Sequence, residues 1–285
     1  MTAATLALLV PGCAWLSREQ VDLGVPGVSA QWLNLSRFSD REALVVTPEA
    51  VRADARGQEL RPLIVVLHGL GSEAEGMAKI SGWAAAARDH DLVVAFGQGR
   101  DNSFNADGCC GPAAADGVDD VAYIKQVIGD VSDSFPVDPD QVFLVGYSNG
   151  GMMTYRFLCS AAGELAGAAS VAGTNTSGCA PSSPVPFLQV SGADDTVVPM
   201  AGGPSSTPGI GPFPSVLGSV AAMAAADACP EPVVRRDPPV TSSRWSPCRN
   251  GVTVGLDVLA RAEHGYPLAP TYPATDRIVA FFGLA

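Results

Sequence analysis

The 285 residues carry 29 aspartates and glutamates against 17 lysines and arginines, a formal net charge of -12, and 47% of them are hydrophobic. An acidic chain with only two lysines, Lys79 and Lys125, lacks the clustered cations that nucleic-acid phosphates require. The apolar content excludes a disordered chain, and no apolar run reaches eighteen residues, so no transmembrane helix is expected.

In chain order, the apolar run Leu6-Ala7-Leu8-Leu9-Val10 leads into Pro11-Gly12-Cys13. It has the pattern of the end of a secretory signal, and Val10-Pro11-Gly12-Cys13 that of a lipoprotein cleavage box with a lipid anchor on Cys13. Two features run against it: no Lys or Arg precedes the run, as a signal requires, and Pro11 is an unusual neighbour for the small residue. Residues 1–27 are read as leader and N-terminal segment, and residues 28–285 as one catalytic domain. Residues 28–35 and 43–47 alternate loosely and predict edge strands. Residues 63–67 form a continuous β-branched run, which suits a parallel strand covered on both faces. A helix is expected over 78–90, a buried strand over 92–96, and a Gly/Asn/Asp-rich loop over 97–117. Val121, Ile124, Val127, Ile128 and Val131 mark one face of a helix over 118–134. A strand over 141–145, a sharp turn and a helix over 152–159 follow. Short strands are expected at 166–171 and 187–190, a coreless Gly/Pro/Ser loop at 201–215, an alanine-rich helix at 216–228, a strand at 252–259 and a closing helix at 274–282. Alternating strands and helices imply right-handed crossovers and a mostly parallel sheet with helices on both faces. Functional loops then lie at the carboxyl ends of the strands.

Seven cysteines are many for a cytosolic chain of this size. With Cys13 in the leader, Cys109, Cys110, Cys159, Cys179, Cys229 and Cys248 remain, an even number that suggests bridges outside the cytosol. Local closure favours Cys159 with Cys179 and Cys229 with Cys248. Cys109 and Cys110 are then left together, as thiols or as an adjacent bridge. No C-x-x-C or nearby histidine supports a metal, and no cofactor is expected.

The chemistry centres on Gly146-Tyr147-Ser148-Asn149-Gly150, a G-x-S-x-G turn between a strand and a helix. Such a turn holds its serine in a strained backbone, with the helix start pointing N–H groups at any anion formed beside it. A serine hydroxyl needs a base and a group to orient that base. In the α/β-hydrolase order of serine, acid, histidine, only His264 of the three histidines follows Ser148. Asp194 and Asp195 both follow the 187–190 strand. Asp195 fits better because Asp-x-x-Val-Pro places an apolar anchor after it, while Asp194 suits a turn cap. Asp257 lies within a strand pattern, a poor place from which to reach His264. The oxyanion donors are expected to be the backbone N–H groups of Asn149 and Leu70. His68 is read as structural, and Asp119 and Asp120 as the opening of a helix. Trp83 and Phe104 could contact an aromatic acyl group or merely pack.

Three segments carry a specific resemblance: Leu67-His68-Gly69 with Gly82-Trp83, Cys109-Cys110-Gly111 leading to Val118-Asp119-Asp120-Val121, and Asp138-Pro139-x-x-Val142 leading into Gly146-x-Ser148-x-Gly150-Gly151. Over roughly residues 40–284 the chain resembles the secreted polyhydroxybutyrate depolymerase and feruloyl esterase family of α/β-hydrolases. The resemblance implies an α/β-hydrolase fold and hydrolysis of carboxylic esters by a serine triad. The substrates it implies are hydroxyalkanoate oligomers, feruloylated plant polysaccharides or acetylated xylan. It places the triad on Ser148, Asp195 and His264 and supports the two local cysteine pairings. The chain departs from the family at Gly265-Tyr266-Pro267-Leu268, where Thr-Trp-Pro-Gly is frequent, and at Ser191, where a histidine often stands. The resulting expectation is an exported serine esterase. A peptidase of the same fold and a surface binding protein without turnover are the competing readings; the complete Ser/Asp/His set speaks against the second.

Overall fold

A computed structural model describes residues 14–285 apart from 39, 52 and 54–56; the expected cleavage box and Cys13 lie outside the described residues. The strands are β1 (Trp15–Gln20), β2 (Val28–Asn34), β3 (Glu42–Pro48), β4 (Arg61–Leu67), β5 (Val93–Gly97), β6 (Val137–Tyr147), β7 (Gly167–Val171), β8 (Phe187–Gly192), β9 (Val233–Asp237), β10 (Val240–Trp245) and β11 (Val254–Leu259). The helices are α1 (Ala74–Ile80), α2 (Trp83–Asp89), α3 (Gly111–Ala115), α4 (Asp120–Ser134), α5 (Asn149–Ala161), α6 (Val216–Ala226) and α7 (Ala274–Phe281). One sheet runs β1-β2-β3-β5-β4-β6-β7-β8-β11-β10-β9. Its six central strands, β5 to β11 in that order, pair in parallel, and antiparallel pairs flank them on both sides. This is the α/β-hydrolase fold.

The pleat of β4 shows why its run is continuously apolar. Leu63, Val65 and Leu67 enter one core layer with α4, α5 and α6, while Ile64 and Val66 enter the other with α1, α2 and α7. A strand buried on both faces has no polar side to offer.

The fold departs from expectation at five points. Strands β2 and β3 are not at the edge: residues 15–20, ahead of position 28, add β1 outside them. The helix expected over 78–90 is two helices, because Gly82 takes a left-handed φ of 82° and ends the first. The loop over 97–117 contains α3, begun by Pro112 in its first turn. The β9–β10 hairpin was not expected, since β9 is exposed along its whole length and carries no buried alternation. Strand β6 also begins at Val137, ahead of the expected 141.

Bridges join Cys109 to Cys110, Cys159 to Cys179 and Cys229 to Cys248. Among the described residues, no helix is long and apolar enough to cross a membrane.

Candidate active site

Ser148 sits between β6 and α5 with φ 53° and ψ -115°. A side chain cannot replace the flanking hydrogens. A Cβ on Gly146 would run into the Gly150 carbonyl, and one on Gly150 would come within 2.5 Å of the Leu67 carbonyl oxygen. The turn is tied at both ends: Ser148 N–H donates to Val171 O at 2.8 Å and Gly150 N–H to His68 O at 3.1 Å. Strain of this kind persists only where the surroundings over-determine it.

The structure brings Ser148, His264 and Asp195 into one relay. Ser148 Oγ lies 3.0 Å from His264 Nε2, and His264 Nδ1 lies 2.8 Å from Asp195 Oδ2. The carboxylate accepts at Nδ1, so the proton belongs on that nitrogen and Nε2 is left as the acceptor for the serine hydroxyl. Asp195 is buried, and its other oxygen accepts from the Val197 and Val198 N–H groups at 2.9 and 2.7 Å. Three bonds from three directions thus hold the carboxylate in its orientation toward His264. Asp194 is exposed and does not reach the histidine. Asp257 belongs elsewhere, accepting from Arg244 at 2.6 and 3.0 Å and from the Tyr272 hydroxyl at 2.7 Å.

Beside the relay, Leu70 lies in the turn after β4 and Asn149 begins α5. Among the described residues, neither backbone N–H donates to a protein acceptor. His68 is fully buried between two backbone groups: Nδ1 faces Gly69 O at 2.8 Å and Nε2 accepts from Gly99 N–H at 2.9 Å. Burial lowers its pKa from 6.5 to about 4, so the ring is neutral at physiological pH. It braces the loop that carries Leu70 and does not touch Ser148.

Two features were missed by sequence reasoning. The carboxamide of Asn149 grips the backbone of Phe104, accepting from its N–H at 2.7 Å and donating to its carbonyl at 2.9 Å. Tyr147 places its ring 5.6 Å from the His264 imidazole, tilted by 31°, and edge-on to Tyr266 at 6.0 Å. Position 147 is a free position of the G-x-S-x-G pattern, so only its aromatic character hinted at a contact. The Tyr266 hydroxyl accepts from Trp83 Nε1 at 2.9 Å and meets Thr275 Oγ1 at 3.0 Å, which anchors the His264 loop to α2 and α7. Trp83 and Phe104 are both fully buried and pack. Asp119 caps α4 by accepting from Ala122 N–H at 3.0 Å, while Asp120 is buried against Arg41 at 2.7 Å. Among the described residues, no group of three or more His, Cys, Asp or Glu could hold a metal ion.

Two relatives and one solved structure illustrate what the chain is similar to. The Nocardia uniformis subsp. tsuyamanensis protein NocK is 36% identical over 162 residues, 55% of this chain and 47% of its own. Feruloyl esterase B of Piromyces equi is 27% identical over 216 residues, 73% of this chain and 40% of its own. The chain thus spans less than half the length of either relative. Among solved structures, the acetyl xylan esterase from Aspergillus awamori superposes with a TM-score of 0.63 at 14% identity, over 94% of this chain and 99% of that one, a likeness of fold. The family model described as phospholipase/carboxylesterase matches residues 49–209, more than half of the sequence and inclusive of the serine turn, and the chain belongs to that family of α/β-hydrolases.

Proposed function

We propose that the protein is an exported carboxylic ester hydrolase working through Ser148, His264 and Asp195. The observation that supports it most is the unbroken relay of 3.0 and 2.8 Å from hydroxyl to imidazole to buried carboxylate. In this reading Ser148 Oγ attacks the ester carbonyl carbon and His264 Nε2 takes its proton. The Leu70 and Asn149 N–H groups receive the oxyanion. The C–O bond to the alcohol breaks as His264 returns the proton to the leaving oxygen. Water, deprotonated by the same nitrogen, then releases the acid from the acyl-enzyme. Asp195 holds the imidazole in the tautomer that both steps need.

The acyl or alcohol part is proposed to come from a polymer: a feruloyl or acetyl ester of a plant polysaccharide, or a hydroxybutyrate oligomer. The names of the feruloyl and acetyl xylan esterases support the first pair. Export is supported by the pairing of Cys109, Cys110, Cys159, Cys179, Cys229 and Cys248, since bridges persist outside the reducing cytosol. Attachment through a lipid on Cys13 is part of the same proposal; release of a Cys13→Ser protein into the medium, with the native one retained by membranes, is its test.

Hydrolysis of p-nitrophenyl acetate and butyrate tests the reaction. Ser148→Ala is expected to reduce turnover to the ~10³–10⁴-fold over water that binding and oxyanion donors alone give, with unchanged thermal stability. A folded native protein that neither hydrolyses these esters nor reacts with a fluorophosphonate would be a binding protein instead. Parallel rates on methyl ferulate, acetylated xylan, hydroxybutyrate oligomers and a peptide amide then select among ester classes and exclude or reveal a peptidase.

A further inference from the structure

Carboxylates outnumber cations over the whole chain, yet residues 233–285 reverse that order with six arginines against four carboxylates. Elsewhere the described cations are largely spoken for, as in Arg41 with Asp120, Arg61 with Asp91 and Lys125 with Glu164. Among the described residues, Arg235 and Arg236 on the exposed strand β9 also lack an ion pair but lie outside the two cavities that Arg261 and Arg277 line. Arg261 and Arg277 are both exposed, and among the described residues neither has a carboxylate within ion-pair distance.

The two arginines line adjoining cavities. One, of about 310 Å³, is bounded by Leu259, Arg261, Pro267 and Leu268, on the two flanks of the loop that carries His264. The other, of about 400 Å³, lies between the β9–β10 turn and α7, with Pro239, Arg277 and Phe281 on its lining. Thr271 and Tyr272 belong to both, so the cavities form one groove that starts beside the His264 loop and leads toward the β9 edge of the sheet. The floor is fixed. Asp257 is buried there, accepts two bonds from Arg244 and one from Tyr272, and is the partner that neutralises Arg244. Asp237, at the β9–β10 turn, is the other carboxylate on the lining. The Arg277 guanidinium lies 5.7 Å from the Tyr272 ring centroid, which steadies it while leaving its fork of donors free.

We propose that this groove binds a polysaccharide segment bearing carboxylates, with uronate groups received by Arg261 and Arg277. The proposal rests on the esterase reading for one point only, that the ester-bearing unit of the same polymer lies at Ser148. The chemistry of the lining favours a sugar acid. Pro239 and Phe281 present apolar surface to the C–H face of a pyranose ring, and a planar guanidinium fork matches a carboxylate. The two free cations sit in successive cavities, not in a cluster, which suits one charge per sugar and not the dense phosphates of a nucleic acid. A net charge of -12 on the protein also opposes a dense polyanion.

Calorimetric titration of the Ser148→Ala protein, which binds without turnover, tests this with tetragalacturonate and with maltotetraose as the neutral partner of equal length. The acidic oligosaccharide is expected to bind about a hundredfold tighter, the product of two charge-assisted contacts of about tenfold each, and to lose that advantage as NaCl is raised. Arg261→Gln and Arg277→Gln, added singly to Ser148→Ala, are each expected to weaken tetragalacturonate by about tenfold while leaving maltotetraose unchanged. Both side chains are exposed, and equal melting temperatures establish that the variants fold. Equal affinity for the two sugars, or no effect of either arginine, overturns the proposal. So does equally tight binding of tetraphosphate, which would make the groove a general anion patch. Concentration-dependent dimerisation abolished by Arg277→Gln would assign the groove to a second copy and overturn it as well. The esterase reading is judged apart from this, by native protein acting on p-nitrophenyl acetate, a substrate with no saccharide.

Discussion

The side chain of Asn149 is buried, and both ends of its carboxamide are bonded to Phe104, 45 residues away. Truncation would strand a buried donor and a buried acceptor at about 1–3 kcal/mol each. Asn149→Ala is therefore expected to lower unfolding free energy by roughly 2–6 kcal/mol in urea titrations; a loss no larger than that of an exposed substitution would mean the grip contributes nothing. His68 gives a second expectation at this scale. Its pKa lies at about 4 in the folded chain against an ordinary 6.5, chiefly through burial. Folding thus favours the neutral ring. Its contribution is complete above pH 6.5 and disappears as pH falls through about 4, a span worth roughly 3 kcal/mol. His68→Gln keeps an acceptor for Gly99 N–H and removes the titration, so its urea midpoint should fall less steeply between pH 7 and pH 4 than that of the native chain. Parallel slopes would show that His68 is not the group responsible. The candidate nucleophile, base and acid were legible because chain order is a strong filter: one histidine follows Ser148, and one aspartate of the 194–195 pair has an apolar anchor behind it. The grip of Asn149 on Phe104 and the contact of Tyr147 with His264 were not legible. Each joins residues distant in sequence through backbone or ring surfaces that leave no pattern of spacing.

At the scale of elements, legibility followed burial. Strands β4, β5, β7 and β8 are covered on both faces, so apolar residues dominate them, with Ser170, Gln189 and Ser191 as buried polar exceptions, and they could be located to within two residues. Strand β9 has no buried residue and so no signature; it exists because β10 supplies its hydrogen-bond partners. The split of the 78–90 helix at Gly82 was obscured by alanines, which favour helix on either side of the break. The Cys229–Cys248 bridge ties the end of α6 to the segment between β10 and β11, beside the outer hairpin. It closes a loop of 19 residues, for which the chain-entropy model gives roughly 3 kcal/mol. Replacing both cysteines by alanine is expected to lower unfolding free energy by about that amount. Because the hairpin lies at the sheet edge, away from Ser148, ester turnover at a temperature where the variant is folded should be unchanged. A stability loss well under 1 kcal/mol would mean that the unfolded chain is already constrained there.

For the molecule as a whole, the sheet gathers the candidate machinery on one edge: Leu70 follows β4, Ser148 follows β6, Asp195 follows β8 and His264 follows β11. Charge is distributed on a different plan. An excess of twelve negative charges repels itself most when the chain is compact, so it opposes folding wherever the solvent does not screen it. Exposed ion pairs act in the opposite sense, since salt weakens them too. The pairs Lys79–Glu75, Arg88–Asp89, Arg100–Asp40 and Lys125–Glu164 are well exposed on both partners and contribute little. The Arg41–Asp120 pair is buried, with side-chain exposures of 4% and 0%, and salt hardly reaches it. Repulsion among unpaired carboxylates should therefore dominate the response. Raising NaCl from about 10 mM to about 150 mM shortens the Debye length from roughly 30 Å to roughly 8 Å, from more than the span of a domain to less than it. The urea midpoint at pH 7 is expected to rise over that interval and then to level off. A midpoint that fell steadily with salt would show instead that surface ion pairs, and not the excess charge, set the electrostatic balance of this fold.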